Sequence, residues 1–342
     1  MNGLAPHLPK YSLLQALAKA EKIQDESNRM FALIKIAPQL PEIVSQVLTM
    51  TGQIQNESSR SSVLIGLAPY LPISFMPETF QMVEKIQDES ARSFALVGLI
   101  SFLPASFLPK ALQIIEHIQA SSSRAYALVG LAPHLPELIP QAVMVTAQMQ
   151  HEASQVFALN KLAPHIPEVL MPQVLKITEE IQSESRRASA LSGLAPYLPE
   201  ALLPEALQLS KQIQHESSLS FALSGLAPYL PESLLPEALQ LSKQIQIRYW
   251  RVCTLIGLAS LLPELVPKAL TIIEQIQSEP SRASALVKLA ALIPQELMPQ
   301  ALKMTTQLQD EAIRVAVLNG LSPYFPKVML PQVLEMTENI QN

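Results

Sequence analysis

Ser192-Gly193-Leu194-Ala195-Pro196-Tyr197-Leu198-Pro199 returns 32 residues later as Ser224-Gly225-Leu226-Ala227-Pro228-Tyr229-Leu230-Pro231. The match continues to Gln214 and Gln246, with Ala201 against Ser233 as the one difference. Weaker copies fill the rest of the chain. With Leu194 and Leu226 as anchors, the equivalent residues are Leu4, Ile36, Leu67, Leu99, Leu131, Leu162, Leu258, Leu289 and Leu321, each 31 or 32 residues from the next. A proline follows every anchor by five residues, from Pro9 to Pro326, and of the 29 prolines only Pro280 falls off the repeating grid. A fixed period of this size is the signature of a stacked helical-repeat array.

Each unit spells two helices. In Ser217–Leu230, apolar residues at 219, 222, 223, 226, 227 and 230 keep helical spacing. Pro231 closes this first helix, because the residue before a proline avoids the helical region. Pro228 should bend its last turn by removing a donor and crowding a carbonyl. The second helix is expected to start with Pro236 at its first position. Helices of about twelve residues are too short to be stable alone and must pack on their neighbours. Three residues before each anchor stands leucine, from Leu33 through Leu64, Leu96, Leu128, Leu159, Leu191, Leu223, Leu255 and Leu286 to Leu318, which marks the core side. Seven before the anchor, arginine recurs as Arg29, Arg60, Arg92, Arg124, Arg187, Arg251, Arg282 and Arg314. A glutamate stands three residues earlier in all but the units of Arg124 and Arg251. That spacing reads as a local helix-start pair. The expected fold is all-α: a right-handed α-solenoid of about ten two-helix repeats of 31–32 residues, forming a single repeat domain over residues 1–342.

Composition narrows the partners. Charged residues are 15% of the chain, against about 25% in ordinary soluble proteins. The net charge of −5 and the absence of any Lys/Arg cluster argue against nucleic acid or acidic membrane. Cys253 is the only cysteine, so no intrachain disulfide forms and a reducing, cytoplasmic location fits. No run reaches the roughly 18–20 apolar residues of a membrane span. The start has no basic-then-apolar leader. Gly3-Leu4-Ala5-Pro6 corresponds to the last turn of a helix whose earlier turns are absent, and neither end carries a polar cap. The expectation is a fragment of a longer protein, with a natural half-repeat terminus as the alternative. Such uncapped ends leave self-association open.

Projection of the first helix, with the leucines at the core, turns positions eight, five and one before the anchor and three after it outward. A solvated face should carry Lys, Glu and Gln there. Instead, five before the anchor stand Phe31, Phe94, Tyr126, Phe157 and Phe221, interspersed with Ser62, Ser189, Cys253, Ser284 and Ala316. Three after it stand His7, Tyr70, Phe102, His134, His165, Tyr197, Tyr229 and Tyr324. One before it is glycine, except for Lys35, Lys161 and Lys288. The second helices are polar outside, as at Glu205, Gln208 and Lys211. The asymmetry predicts an aromatic ridge on a concave first-helix side, the usual binding surface of a solenoid. The competing reading is that tight winding buries the ridge and the glycines only let helices approach.

One unit departs from the pattern. Where Glu-Ser-Ser-Arg is expected, the chain has Ile247-Arg248-Tyr249-Trp250-Arg251, followed by Cys253, and so holds the only tryptophan and the only cysteine. Trp, Tyr and Arg dominate binding hot spots, which makes Arg248, Tyr249 and Trp250 the centre of the candidate site. A drifted repeat whose large side chain fills an irregular joint is the plainer alternative. Chemistry is otherwise sparse. No glycine-rich phosphate loop occurs. The histidines show no metal-ligand spacing, no acid/base pair stands out, and neither cofactor nor metal is expected.

The unit over residues 184–216, Glu-Ser-Arg-Arg-Ala-Ser-Ala-Leu-Ser-Gly-Leu-Ala-Pro-Tyr-Leu-Pro-Glu onward to Ile-Gln, resembles the α-helical repeats of large bacterial signalling proteins of STAND type and of related protease effectors. More broadly it is similar to HEAT-like repeats, and it lacks the Trp-Leu-Gly-Tyr pattern of tetratricopeptide units. The resemblance implies a ligand-sensing or scaffold segment, with any nucleotide hydrolysis in domains outside this chain. The functional expectation is recognition of a protein or peptide along the concave face, without enzymatic activity. Two further readings stay open: a helical-repeat enzyme of the lyase kind using Cys253 or a groove histidine, and a passive spacer.

Overall fold

The computed structural model describes residues 10–36, 44–331 and 333. Leu4, His7 and Pro41 of the repeat grid lie outside them. The chain forms two compact units, 1–150 and 151–342. The first unit contains α1 (Lys10–Glu21), α2 (Glu26–Ile36), α3 (Val44–Gly52), α4 (Glu57–Leu67), α5 (Met76–Glu84), α6 (Glu89–Ile100), α7 (Leu108–Glu116), α8 (Ser121–Leu131) and α9 (Ile139–Ala147). The second contains α10 (Glu152–Leu162), α11 (Met171–Glu180), α12 (Glu184–Leu194), α13 (Leu203–Lys211), α14 (Glu216–Leu226), α15 (Leu235–Gln244), α16 (Arg248–Ala259), α17 (Val266–Glu274), α18 (Glu279–Leu289), α19 (Met298–Thr306) and α20 (Glu311–Leu321). From α2 onward, even-numbered helices are the first helices of the repeats and odd-numbered ones the second. Among the described residues there is no strand, and no helix is long and apolar enough to cross a membrane.

Proline sets the end of most first helices, although α18 stops at Leu289 and enters a 3-10 turn over Ala290–Leu292 without one. In α14 the α-helix stops at the anchor Leu226 and tightens into a 3-10 turn over Ala227–Tyr229. Pro228 has no N–H for an α-type bond, so the chain closes by three-residue steps instead. Leu230 then becomes extended (φ −70°, ψ 131°), as a residue before proline must. Where Ser101 and Ser260 replace that proline, α6 and α16 run one residue past their anchors, to Ile100 and Ala259. Pro236 is the second residue of α15, one position later than its sequence suggests.

Within each unit the first helices pack side by side, α2 to α8 in one and α10 to α20 in the other, while second helices pack mainly on first helices of their own and the following hairpin. The ten repeated leucines are at most 3% exposed. Around them lie second-helix residues such as Leu207, Leu241 and Ile273. Two devices join successive repeats. One is glycine: a methyl group on Gly98 would meet Ile65 Cγ1 at 2.4 Å, and one on Gly130 would meet Val97 Cγ2 at 2.6 Å. The glycines therefore seat the neighbouring helix rather than separating aromatics on an open ridge, and the close-approach half of the competing reading is correct.

The second device corrects the expected helix-start pair. Six glutamates reach across to the next repeat and accept from two consecutive backbone N–H groups just ahead of its first helix. Glu57 takes those of Gln87 and Asp88, Glu89 those of Gln119 and Ala120, and Glu184 those of Gln214 and His215. Glu152, Glu216 and Glu279 repeat the contact. The arginines turn back instead: Arg60, Arg187, Arg251 and Arg282 donate to the carbonyls of Ile54, Ile181, Ile245 and Ile276. Local ion pairs do close at Glu89–Arg92, 3.3 Å, and Glu279–Arg282, 3.5 Å. The physical reason is that the turn before a first helix carries N–H groups with no intrahelical partner, and a carboxylate on the preceding repeat meets that need.

Candidate functional site

The side chains of the aromatic position are out in solvent. Phe31, Phe94, Phe157 and Phe221 are 48–58% exposed. Tyr126 is half-buried, and burial pushes its hydroxyl pKa up. Tyr70, Tyr197, Tyr229 and Tyr324, with His134 and His165, are exposed on the 3-10 turns at the far end of the first helices. Lys35 and Lys288 are exposed, whereas Lys161 is half-buried and burial pulls its ammonium pKa down. Winding does not bury these first-helix aromatics.

The second unit holds a trough of about 610 Å³ across α12, α14, α16 and α18. Phe221, Trp250 and Ile256 supply apolar walls. Ser185, Ser189 and Ser217 make one side hydroxylic, and Cys253 and Lys288 occupy the other. Helical spacing produces this arrangement, since positions nine and five before the anchor lie one turn apart on one face. The irregular repeat is tied to α14. Ser220 Oγ donates to the carbonyl of Trp250 at 2.8 Å and Ser224 Oγ to that of Cys253 at 3.2 Å. Trp250 meets the Tyr249 ring edge-on, with centroids 4.8 Å apart and planes at 67°. Trp250, Tyr249 and Cys253 are thus half-buried parts of a groove wall rather than projections from an open ridge; Arg248 is exposed beside them.

Lys288 runs back from its own helix into this joint. Its Nζ donates to the Tyr249 hydroxyl at 3.1 Å, lies 3.9 Å from Cys253 Sγ and stands 5.3 Å above the Tyr249 ring centre. Burial alone would lower its pKa, but the hydrogen bond to the Tyr249 hydroxyl, with the Cys253 sulfur beside it, outweighs that and holds it above the usual lysine value. Burial pushes the Cys253 thiol pKa up, and Lys288 only partly offsets this. Lys288 stands where most repeats have glycine, and α16 and α18 pack less closely than α12 and α14.

A second hollow, of about 480 Å³, crosses α4, α6 and α8 of the first unit and joins Phe94 with Tyr126. Its hydroxyl lining, Ser58, Ser62, Ser90 and Ser122, uses the same repeat positions as the first trough. Neither hollow is lined by Tyr197, Tyr229, His165 or Tyr324. The serines nine before the anchor were missed by sequence reasoning, although their recurrence as Ser58, Ser90, Ser122, Ser185 and Ser217 is plain in the chain. Among the described residues no group of three His, Cys, Asp or Glu side chains is placed to hold a metal ion.

The fold has counterparts among solved structures. Importin beta superposes on this chain with TM-score 0.53 and 14% identity, over 92% of this chain and 52% of that one. The karyopherin Kap121p, solved bound to Nup53p, superposes with TM-score 0.51 and 12% identity, over 97% of this chain and 43% of that one. The fold is a HEAT-like helical repeat. The chain spans about half the length of these proteins, or less. No family model matches it, and no curated protein matches it in sequence.

Proposed function

We propose that this chain is a recognition scaffold that holds a protein or peptide on its first-helix face, with the trough around Phe221 and Trp250 as the main contact. The observation that carries the reading is the pairing of exposed aromatics with a hydroxyl-lined hollow in successive repeats. Solvent-exposed rings on a mostly polar surface mark interaction sites. First helices pack more closely on one another than second helices do, which supports placing the concave side there. The likeness of fold to Kap121p, solved bound to Nup53p, agrees with a protein-binding role. The wider context, a sensor or scaffold segment of a bacterial signalling protein in the cytoplasm, rests on the sequence resemblance of residues 184–216.

The test is capture from lysate on the immobilised full chain beside a Phe221→Ala/Trp250→Ala variant of unchanged helicity. Partners held by the parent and lost by the variant support the reading. Identical retention by both sinks the trough as the site and moves the spacer reading ahead. Cys253 lines the same trough, which is the one observation an enzyme would use. Its raised thiol pKa disfavours the thiolate that nucleophilic chemistry needs, so Cys253→Ser is expected to leave capture unchanged.

A further inference from the structure

The geometry points to an extended, carboxylate-bearing polypeptide segment as the occupant of the α12–α18 trough, with Lys288 as the group that reads the carboxylate. This rests on the binding function proposed above and narrows it. Three observations carry it. First, the trough is lined by hydroxyl, apolar and thiol groups and by one charge, the Lys288 ammonium. No carboxylate of the described residues lies within ion-pair distance of that ammonium. Its neighbours are neutral acceptors, the Tyr249 hydroxyl and Cys253 Sγ, which orient it and leave donor capacity for a ligand.

Second, the nearby acidic side chains are already committed. Glu184, Glu216 and Glu279 each bind two backbone N–H groups of the following repeat. They stay ionised but are turned to those amides and do not line the trough, so within a chain of net charge −5 its lining holds one cation and no carboxylate. A basic segment would find no acceptor charge in it, and an acidic one would find its complement.

Third, the spacing suits an extended backbone. Phe221, Trp250 and Lys288 sit on three successive first helices, α14, α16 and α18. Packed helices stand about 8–10 Å apart and an extended chain advances about 3.3 Å per residue, so each helix corresponds to about three residues of ligand. The occupant should carry apolar side chains about three residues apart, set on Phe221 and Trp250. Its carboxylate, from an Asp or Glu side chain or from a chain terminus, should follow at a shorter interval, because the Lys288 ammonium reaches back to Tyr249 and Cys253 on α16. The serine hydroxyls of the opposite wall serve the peptide groups between.

The experiment is selection of random peptides on the immobilised full chain, with affinities of the enriched peptides for the parent and for Phe221→Ala, Trp250→Ala and Lys288 variants read by titration calorimetry. Enriched peptides should show the apolar-apolar-carboxylate pattern. Lys288→Met should weaken them about tenfold or more, the loss of one charge-assisted hydrogen bond, and Lys288→Arg should restore most of the affinity. Synthesis of the same peptides as C-terminal amides, or with Asn and Gln for Asp and Glu, shows which carboxylate is read. Peptides that need Phe221 and Trp250 but have no acidic preference, and that bind Lys288→Met as well as the parent, overturn the inference and leave the binding function standing. If no enriched peptide depends on Phe221 and Trp250, both fall.

Discussion

Gly225→Ala tests the central packing argument, because one methyl group is set against the spacing of two whole helices. Gly225 is the next-to-last residue of α14. A Cβ there would come within 2.2 Å of Ser192 Oγ, 2.6 Å of its Cβ and 2.8 Å of its Cα. Rotating the serine hydroxyl relieves the first contact but not the last, which is backbone, so α12 and α14 must move apart. Overpacking of this kind costs about 1–3 kcal/mol, and a contact that no rotamer can relieve belongs at the upper end. Alanine returns about 1 kcal/mol through its helix propensity. The expected net loss is about 2 kcal/mol. Gly52 provides the control. It ends α3, has no positive φ, and its Cβ would lie at an ordinary 3.5 Å from Met82 Cε, so Gly52→Ala should stabilise by about 0.4–1 kcal/mol. Urea unfolding followed by far-UV circular dichroism and by Trp250 fluorescence reads both, since repeat arrays need not unfold as one step. If Gly225→Ala matches or exceeds the parent in stability, the glycines are not there to seat the neighbouring helix.

Three further outcomes follow from the same structure. Leu191→Ala or Leu255→Ala should cost about 2–5 kcal/mol by urea unfolding, because each leucine is fully buried between successive hairpins; a loss near zero would mean the core closes over the gap. Acid should loosen the joints. Backbone N–H groups of Gln87, Gln119, His215 and Gln309 hold the carboxyl pKa values of Glu57, Glu89, Glu184 and Glu279 below the ordinary value near 4.5. A pKa lower in the folded state gives stability that is complete above about 4.5 and lost as pH falls below it. The urea midpoint should therefore hold from neutral pH down to about 5 and then fall, less steeply in a variant with these four glutamates changed to glutamine. Glu184→Gln alone should speed hydrogen exchange at the amides of Gln214 and His215, and unchanged protection there would remove the clamp.

How much of this was legible depends on whether a residue acts within its own repeat or on the next one. Leu223 and Pro228 act locally, and their positions announced the core and the end of the first helix before any coordinates. Glu184 and Arg187 are three residues apart and so looked like partners, yet Glu184 serves residues 214 and 215 while Arg187 serves the carbonyl of Ile181. Helical projection ranks directions on one helix but carries no information about what faces it 30 residues away. The same limit governs the candidate site. Phe221, Trp250 and Cys253 were marked by their outward positions, but Ser185 and Ser217 were not, because a serine matters to a trough only through the side chains missing beside it. Lys288 was marked as a departure from glycine. Its reach back to Tyr249 and Cys253, 39 and 35 residues earlier, needed the fold.

The hollows follow from variation in size at one position. Five before the anchor, Ser189, Phe221, Cys253 and Ser284 run small, large, small, small across α12 to α18, and Ser62, Phe94 and Tyr126 run small, large, large across α4 to α8. A large side chain at every repeat would fill the space between first helices, and a small one at every repeat would leave a shallow, wet surface with no apolar wall. A ring beside small neighbours gives both volume and wall, which is what a ligand's side chain requires. The leucine core recurs in every repeat, and the glycine seats and glutamate clamps in most of them, so the helices are held together whatever stands at that position. Binding character can therefore change one residue at a time, and Lys288 shows the structural cost: the cation that gives the α12–α18 trough its proposed preference replaces a glycine seat, and α16 and α18 pack less closely than α12 and α14.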